Sequence, residues 1–208
     1  MDTFDLIATE RLRLADALDQ LSPADWDSPS LCEGWTVHQV AAHLNAPWSV
    51  SIPSMALSVV RARSLDGGLD RVARQLADRL DPQACIAGLR DHAGSHFTPP
   101  GAGPEAPLTD VLVHGGDMLR PLGRSVVPTP EARTTTLRWL AGGRARGFVP
   151  RGRVAGLVLE ATDVECVAGP GPAAVRGPAL ALSAALCGRA AWLGDLSGDG
   201  LGPLTSRR

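Results

Sequence analysis

From Thr3 to about Leu140, proline and glycine divide the sequence into segments whose apolar residues recur at helical intervals. This succession constrains the fold more than any other feature. Asp2 or Thr3 can cap a first helix to about Leu21, with Leu6, Ile7, Leu14, Leu18 and Leu21 on one face. Ser22-Pro23-Ala24-Asp25 has the cap, first-turn proline and third-position acid of a short helical turn. Thr36-Val37-His38-Gln39 is a capping box, so a second long helix opens there and runs through His43, with Pro47 and Pro53 expected to kink or end it. Helical stretches follow at about Asp66 to Leu80, Pro82 to Phe97, Leu108 to Pro121, and from Pro130 to Leu140. Beyond a glycine- and arginine-rich stretch the character changes. Leu157 to Thr162 and Val164 to Val167 are short β-branched runs, Gly169-Pro170-Gly171-Pro172 is a turn, and Pro178 to Cys187 reads as one helix. The expected architecture is mainly α: a helical bundle over residues 1–145 and a small α+β domain over 146–208.

Composition excludes several function classes. With 208 residues, 44% hydrophobic, and a net charge of −2, the chain can bury a real core and is not disordered. A pI near 6.2 and the lack of an arginine- and aromatic-rich stripe argue against a nucleic-acid partner. Arg144, Arg146, Arg151 and Arg153, interleaved with glycine, read as a solvated linker rather than a phosphate-binding arm. The longest apolar run, Pro178 to Cys187, is half of the roughly 20 residues a membrane span needs. The acidic start, Met1-Asp2-Thr3-Phe4-Asp5, lacks the basic region of a secretory signal, so a cytoplasmic location is expected. Cys32, Cys85, Cys166 and Cys187 are far apart and are read as reduced thiols.

The chemistry concentrates in one segment. On a helix from Leu108, positions Asp110, His114 and Asp117 share a stripe, and residues four apart lie about 5–6 Å apart at Cβ, so Asp110 and His114 can converge on one ion. A catalytic tetrahedral site takes three protein ligands, and His43, in an otherwise apolar helix, is the candidate for the third. Each residue also has a plainer reading: His43 as a satisfied core histidine, Asp110 as a capping acid, and Asp117 as the surface partner of Arg120 or, alternatively, the group that orients His114. His92 and His96 form a rival pair four residues apart, read as exposed histidines. Cys32 is read as a small buried hydrophobe, and Trp26 and Trp35 as core residues.

The stretch Leu21 to Leu44, with Ser30-Leu31-Cys32-Glu33-Gly34-Trp35-Thr36-Val37 at its centre, resembles the N-terminal signature of the mycothiol-dependent maleylpyruvate isomerase family, within the DinB-like superfamily. Asp110 to Gly123, with His114-Gly115-Gly116-Asp117 and Pro121-Leu122-Gly123, is similar to that family's second metal-binding helix. Arg176 to Ala179, Gly188-Arg189 and Asp195 to Gly200 resemble its small C-terminal domain. The resemblance implies a DinB-like four-helix bundle holding a divalent metal, zinc first and iron or nickel as alternatives, on His43, Asp110 and His114. In the isomerase the acid is a glutamate; here it is Asp110, one methylene shorter.

The resemblance further implies the use of mycothiol, the small thiol of actinobacteria, with the metal activating its sulfur as thiolate toward a small electrophile, as an isomerase or a thiol S-transferase. Arg120 and Arg189 are candidate cations for binding the cofactor or an acidic substrate. Two other functions use the same fold: a ligand-binding or regulatory bundle without turnover, and a metal-dependent hydrolase in which water replaces the thiol.

Overall fold

The computed structural model describes residues 2–207 and is mainly helical, with a small three-stranded sheet near the C-terminus. Its helices are α1 (Thr3–Leu18), α2 (Pro23–Trp26), α3 (Val37–Leu44), α4 (Ala46–Ser49), α5 (Ile52–Ala62), α6 (Leu65–Ala77), α7 (Pro82–Asp91), α8 (Glu105–Leu119), α9 (Pro130–Ala141), α10 (Ala179–Leu186) and α11 (Leu201–Ser206). The strands β1 (Leu157–Ala161), β2 (Val167–Ala168) and β3 (Ala173–Gly177) lie between α9 and α10. Residue contacts divide the chain into two units, one of residues 2–97 with 114–127 and the other of 98–113 with 128–207. The division passes through α8, and α9 groups with the strands.

In the unit of residues 2–97 and 114–127, caps set the helix starts. Asp2 and Asp5 cap α1 reciprocally, Ser22 and Asp25 do so for α2, and Thr36 and Gln39 for α3. Helix α3 ends at Leu44, ahead of Pro47 and Pro53, as expected. Each proline sits in the first turn of a new helix, α4 and α5, where a missing N–H costs nothing. Helix α5 thereby occupies a stretch the sequence left unassigned. Leu6, Ile7, Leu14 and Leu18 of α1 are buried, and α1 packs on α7. Helix α6 packs on α3 and α5. Buried Arg11 donates to the carbonyls of His92, Ala93 and Ser95 at 3.0–3.1 Å, placing a cation where α7 ends. At Gly88 a Cβ would lie 2.0 Å from Asn45 Oδ1, so the close approach of α7 to the end of α3 requires glycine there.

In the other unit, the sheet order is β2-β1-β3, with β1 antiparallel to β2 and parallel to β3. Glu160 and Arg176 are opposite one another and form an ion pair at 2.6 Å, a cross-strand contact that helps fix the register. Helix α10 is buried from Ala179 to Leu186 and packs on α9, β1 and β3. Asp163, which pairs with Arg133, accepts a hydrogen bond from the Ala179 N–H and so caps α10 from outside the helix. Arg153, expected in a solvated linker, is instead 6% exposed. Its Nε and Nη2 donate to the Ala185 carbonyl at 3.1 and 2.9 Å and its Nη1 to that of Arg207. Arg144, Arg146 and Arg151 are exposed as expected.

Candidate metal centre

The capping box at Thr36 fixes where α3 begins and therefore which residues its turns present. Val37, Val40, Ala41 and Leu44 are buried, and His43 falls half-buried in the last turn. Helix α8 carries Asp110, His114 and Asp117 at intervals of four and three. Ligand atoms of His43, Asp110 and His114 lie within 4.8 Å of one another, a spacing that can hold a metal ion. The rings of His43 and His114 meet edge to face, with centroids 5.1 Å apart. Two imidazoles and a carboxylate are a donor set that suits zinc, and equally iron or nickel. His92 and His96, the rival pair, are exposed as expected and stack on different rings, His92 on Trp48 at 4.8 Å and His96 on Phe4 at 4.0 Å.

Behind His114 lies a second set of polar groups. Asp117 is 0% exposed, which excludes its reading as a surface partner of Arg120. Its Oδ2 lies 3.0 Å from His114 Nδ1 and 3.2 Å from Cys32 Sγ. An ionised carboxylate only accepts, so with Asp117 ionised the Nδ1–H of His114 is the donor and Nε2 is the ring nitrogen that a metal could take. Cys32 is not an inert core residue. Its Sγ is 3.4 Å from His114 Nδ1, and it forms with His114 and Asp117 another grouping at metal-ligand spacing. The loop before α3 is held against α8 by the Leu31 N–H, which donates to the Asp117 carbonyl at 2.9 Å. That bond brings Cys32 to a helix more than eighty residues later in the chain.

Trp35 is a wall of the site rather than a core residue. Its ring lies 5.3 Å from that of His43, and its Nε1 donates to Asp70 Oδ1 at 2.8 Å. The indole hydrogen bond, together with the ion pair to Arg74 at 2.9 Å, holds the Asp70 carboxyl below its ordinary range. Arg74 also donates to the Gly34 carbonyl at 3.0 Å, beside a left-handed turn at Gly34 with φ of +75°. Trp26, by contrast, is buried as expected and meets His38 edge-on. Arg120 opens a 3-10 turn at the end of α8, and Arg189 donates to the Cys187 carbonyl at 3.0 Å.

The sequence model of the mycothiol maleylpyruvate isomerase N-terminal domain matches residues 7–165. The fold is similar to a crystal structure of the mycothiol-dependent maleylpyruvate isomerase, with a TM-score of 0.55 and 17% identity, covering 94% of this chain and 91% of that one. A histidine-to-alanine mutant of that isomerase gives a TM-score of 0.49 at 18% identity over the same shares of the two chains. No curated protein matches the sequence. No helix among the described residues is long and apolar enough to cross a membrane.

Proposed function

The chain belongs to the mycothiol maleylpyruvate isomerase N-terminal domain family, and from that premise we propose that it is a divalent-metal-dependent enzyme that uses mycothiol, as an isomerase or a thiol S-transferase. The observation that carries the reading is the approach of His43, Asp110 and His114 ligand atoms to within 4.8 Å of one another. Three protein ligands are the number a catalytic zinc takes, and these three would hold it. When bound, the cation would favour the thiolate of an approaching thiol over its protonated form, which for a free cysteine-like thiol titrates at about 8.5.

The chain's own residues prepare that event. Asp117 holds the proton on Nδ1 of His114 and with it the tautomer whose Nε2 lone pair can ligate. Its burial keeps water from competing for that bond. Trp35, fixed by Asp70, packs against His43 and restricts its rotation. Asp110 keeps its short carboxylate close to α8, one turn before His114. Arg120, at the end of the same helix, is the cation we assign to a carboxylate of the thiol or of its electrophilic partner.

Thermal unfolding of the metal-loaded protein with millimolar mycothiol tests the reading. A thiol present at 100 times its dissociation constant stabilises by about 2.7 kcal/mol, and the shift should vanish in His43→Ala. No shift in either protein would contradict the proposal. Incubation of the loaded protein with mycothiol and maleylpyruvate then separates the two activities, since an isomerase regenerates the thiol and a transferase consumes it.

A further inference from the structure

We infer that Cys32, His114 and Asp117 form a second cation position, specific for thiophilic metals, on the Nδ1 side of His114. Their donor atoms, Sγ, Nδ1 and Oδ2, are 3.0, 3.2 and 3.4 Å apart in pairs. Zinc bonds of about 2.0–2.3 Å arranged tetrahedrally put neighbouring ligands about 3.3–3.6 Å apart, so the three atoms already stand close to one face of a coordination tetrahedron. The grouping mixes a sulfur, an imidazole and a carboxylate, a set that favours zinc, cadmium or cobalt over magnesium or calcium. Asp117 is fully buried, and a buried carboxylate is stabilised by a cation more than by two hydrogen bonds to neutral donors.

The exchange balances without a redox step. The Cys32 thiol loses its proton to solvent, the His114 proton leaves Nδ1 and one is taken up at Nε2, and bonds from the dication to Sγ, Nδ1 and Oδ2 replace the hydrogen bonds. Thiolate and carboxylate then neutralise the two charges of the metal. With Nε2 protonated, His114 no longer serves the grouping it makes with His43 and Asp110. Occupation of the inner position therefore excludes the outer one. The inner position is the weaker of the two: added cation fills it where the outer grouping is lost, and dialysis empties it.

Cobalt(II) titration of the metal-free protein tests this. A near-ultraviolet sulfur-to-cobalt charge-transfer band is expected in His43→Ala, which lacks the competing outer grouping. The band should fall at least tenfold when Cys32→Ser is added to that variant. Cobalt binding to His43→Ala without the band, or a band that survives the addition of Cys32→Ser, would overturn the inference. X-ray absorption of zinc added to His43→Ala gives a reading independent of how Cys32→Ser folds: one sulfur at about 2.3 Å is expected, and a shell of nitrogen and oxygen alone overturns it. Neither outcome depends on whether mycothiol binds.

Discussion

The buried guanidinium of Arg153 and the buried carboxylate of Asp117 are comparably withdrawn from water, at 6% and 0% exposure, yet they are used differently. Arg153 donates to the backbone oxygens of Ala185 and Arg207 and ties the end of α10 and the C-terminal residues to the segment before β1. Its burial disfavours the charged form and lowers its pKa, a cost accepted for those hydrogen bonds. Asp117 meets side chains instead, the ring of His114 and the thiol of Cys32. Polar groups bonded to backbone close a fold, whereas polar groups bonded to the side chains of a candidate site fix a tautomer and a direction. Burial of charge therefore does not by itself mark a functional site; the identity of the partner does.

The comparison breaks most readily at its structural end. Arg153→Met leaves the Ala185 and Arg207 carbonyls without their donor and should cost about 3 kcal/mol, read from the denaturant midpoint, with metal content unchanged. Loss of metal in that variant would erase the distinction between the two residues. Asp117→Asn should do the reverse, lowering metal affinity 10–100-fold through disorientation of His114, with a smaller change in stability. Equal affinity in native protein and variant would make Asp117 a structural residue like Arg153.

Two titrations sharpen the contrast with smaller effects. Burial, aided by Asp81, pushes the Cys85 thiol from its ordinary 9.0 up to about 12. A raised pKa stabilises the fold fully below 9.0 and progressively less as pH climbs toward 12, so native protein should lose stability over that window and Cys85→Ala should lose less of it. Asp70 works in the opposite sense. Its carboxyl is held below the ordinary 3.8, chiefly by the Trp35 hydrogen bond, so its contribution is present above that value and is lost as pH falls through the lower folded one. Asp70→Asn should flatten this acid limb, measured by denaturant midpoints across the acid range.

Much of this arrangement is legible in the sequence because it is local. The caps at Asp2, Ser22 and Thr36, and the four-residue interval between Asp110 and His114, are set by helix geometry within a few residues. His43 stands out as an imidazole on an apolar helix. What escaped is tertiary. The interval from His114 to Asp117 is the same as that from Asp117 to Arg120, and only burial decides between them. Cys32 sits in a loop whose neighbour is determined by one backbone bond, Leu31 to Asp117. Strand β3 reads Ala-Ala-Val-Arg-Gly, poor in β-formers, and pairs because β1 lies beside it in register. Helix α5 was hidden by Pro53, a breaker inside a helix and a starter in its first turn.

The central claim is that His43, Asp110 and His114 grip one divalent cation. Elemental analysis after dialysis against metal-free buffer tests it most directly, on the native chain beside His43→Ala and Asp110→Ala. The account predicts near one equivalent of metal in the native protein and background levels in both variants. Metal retained in both variants at the native level would contradict it.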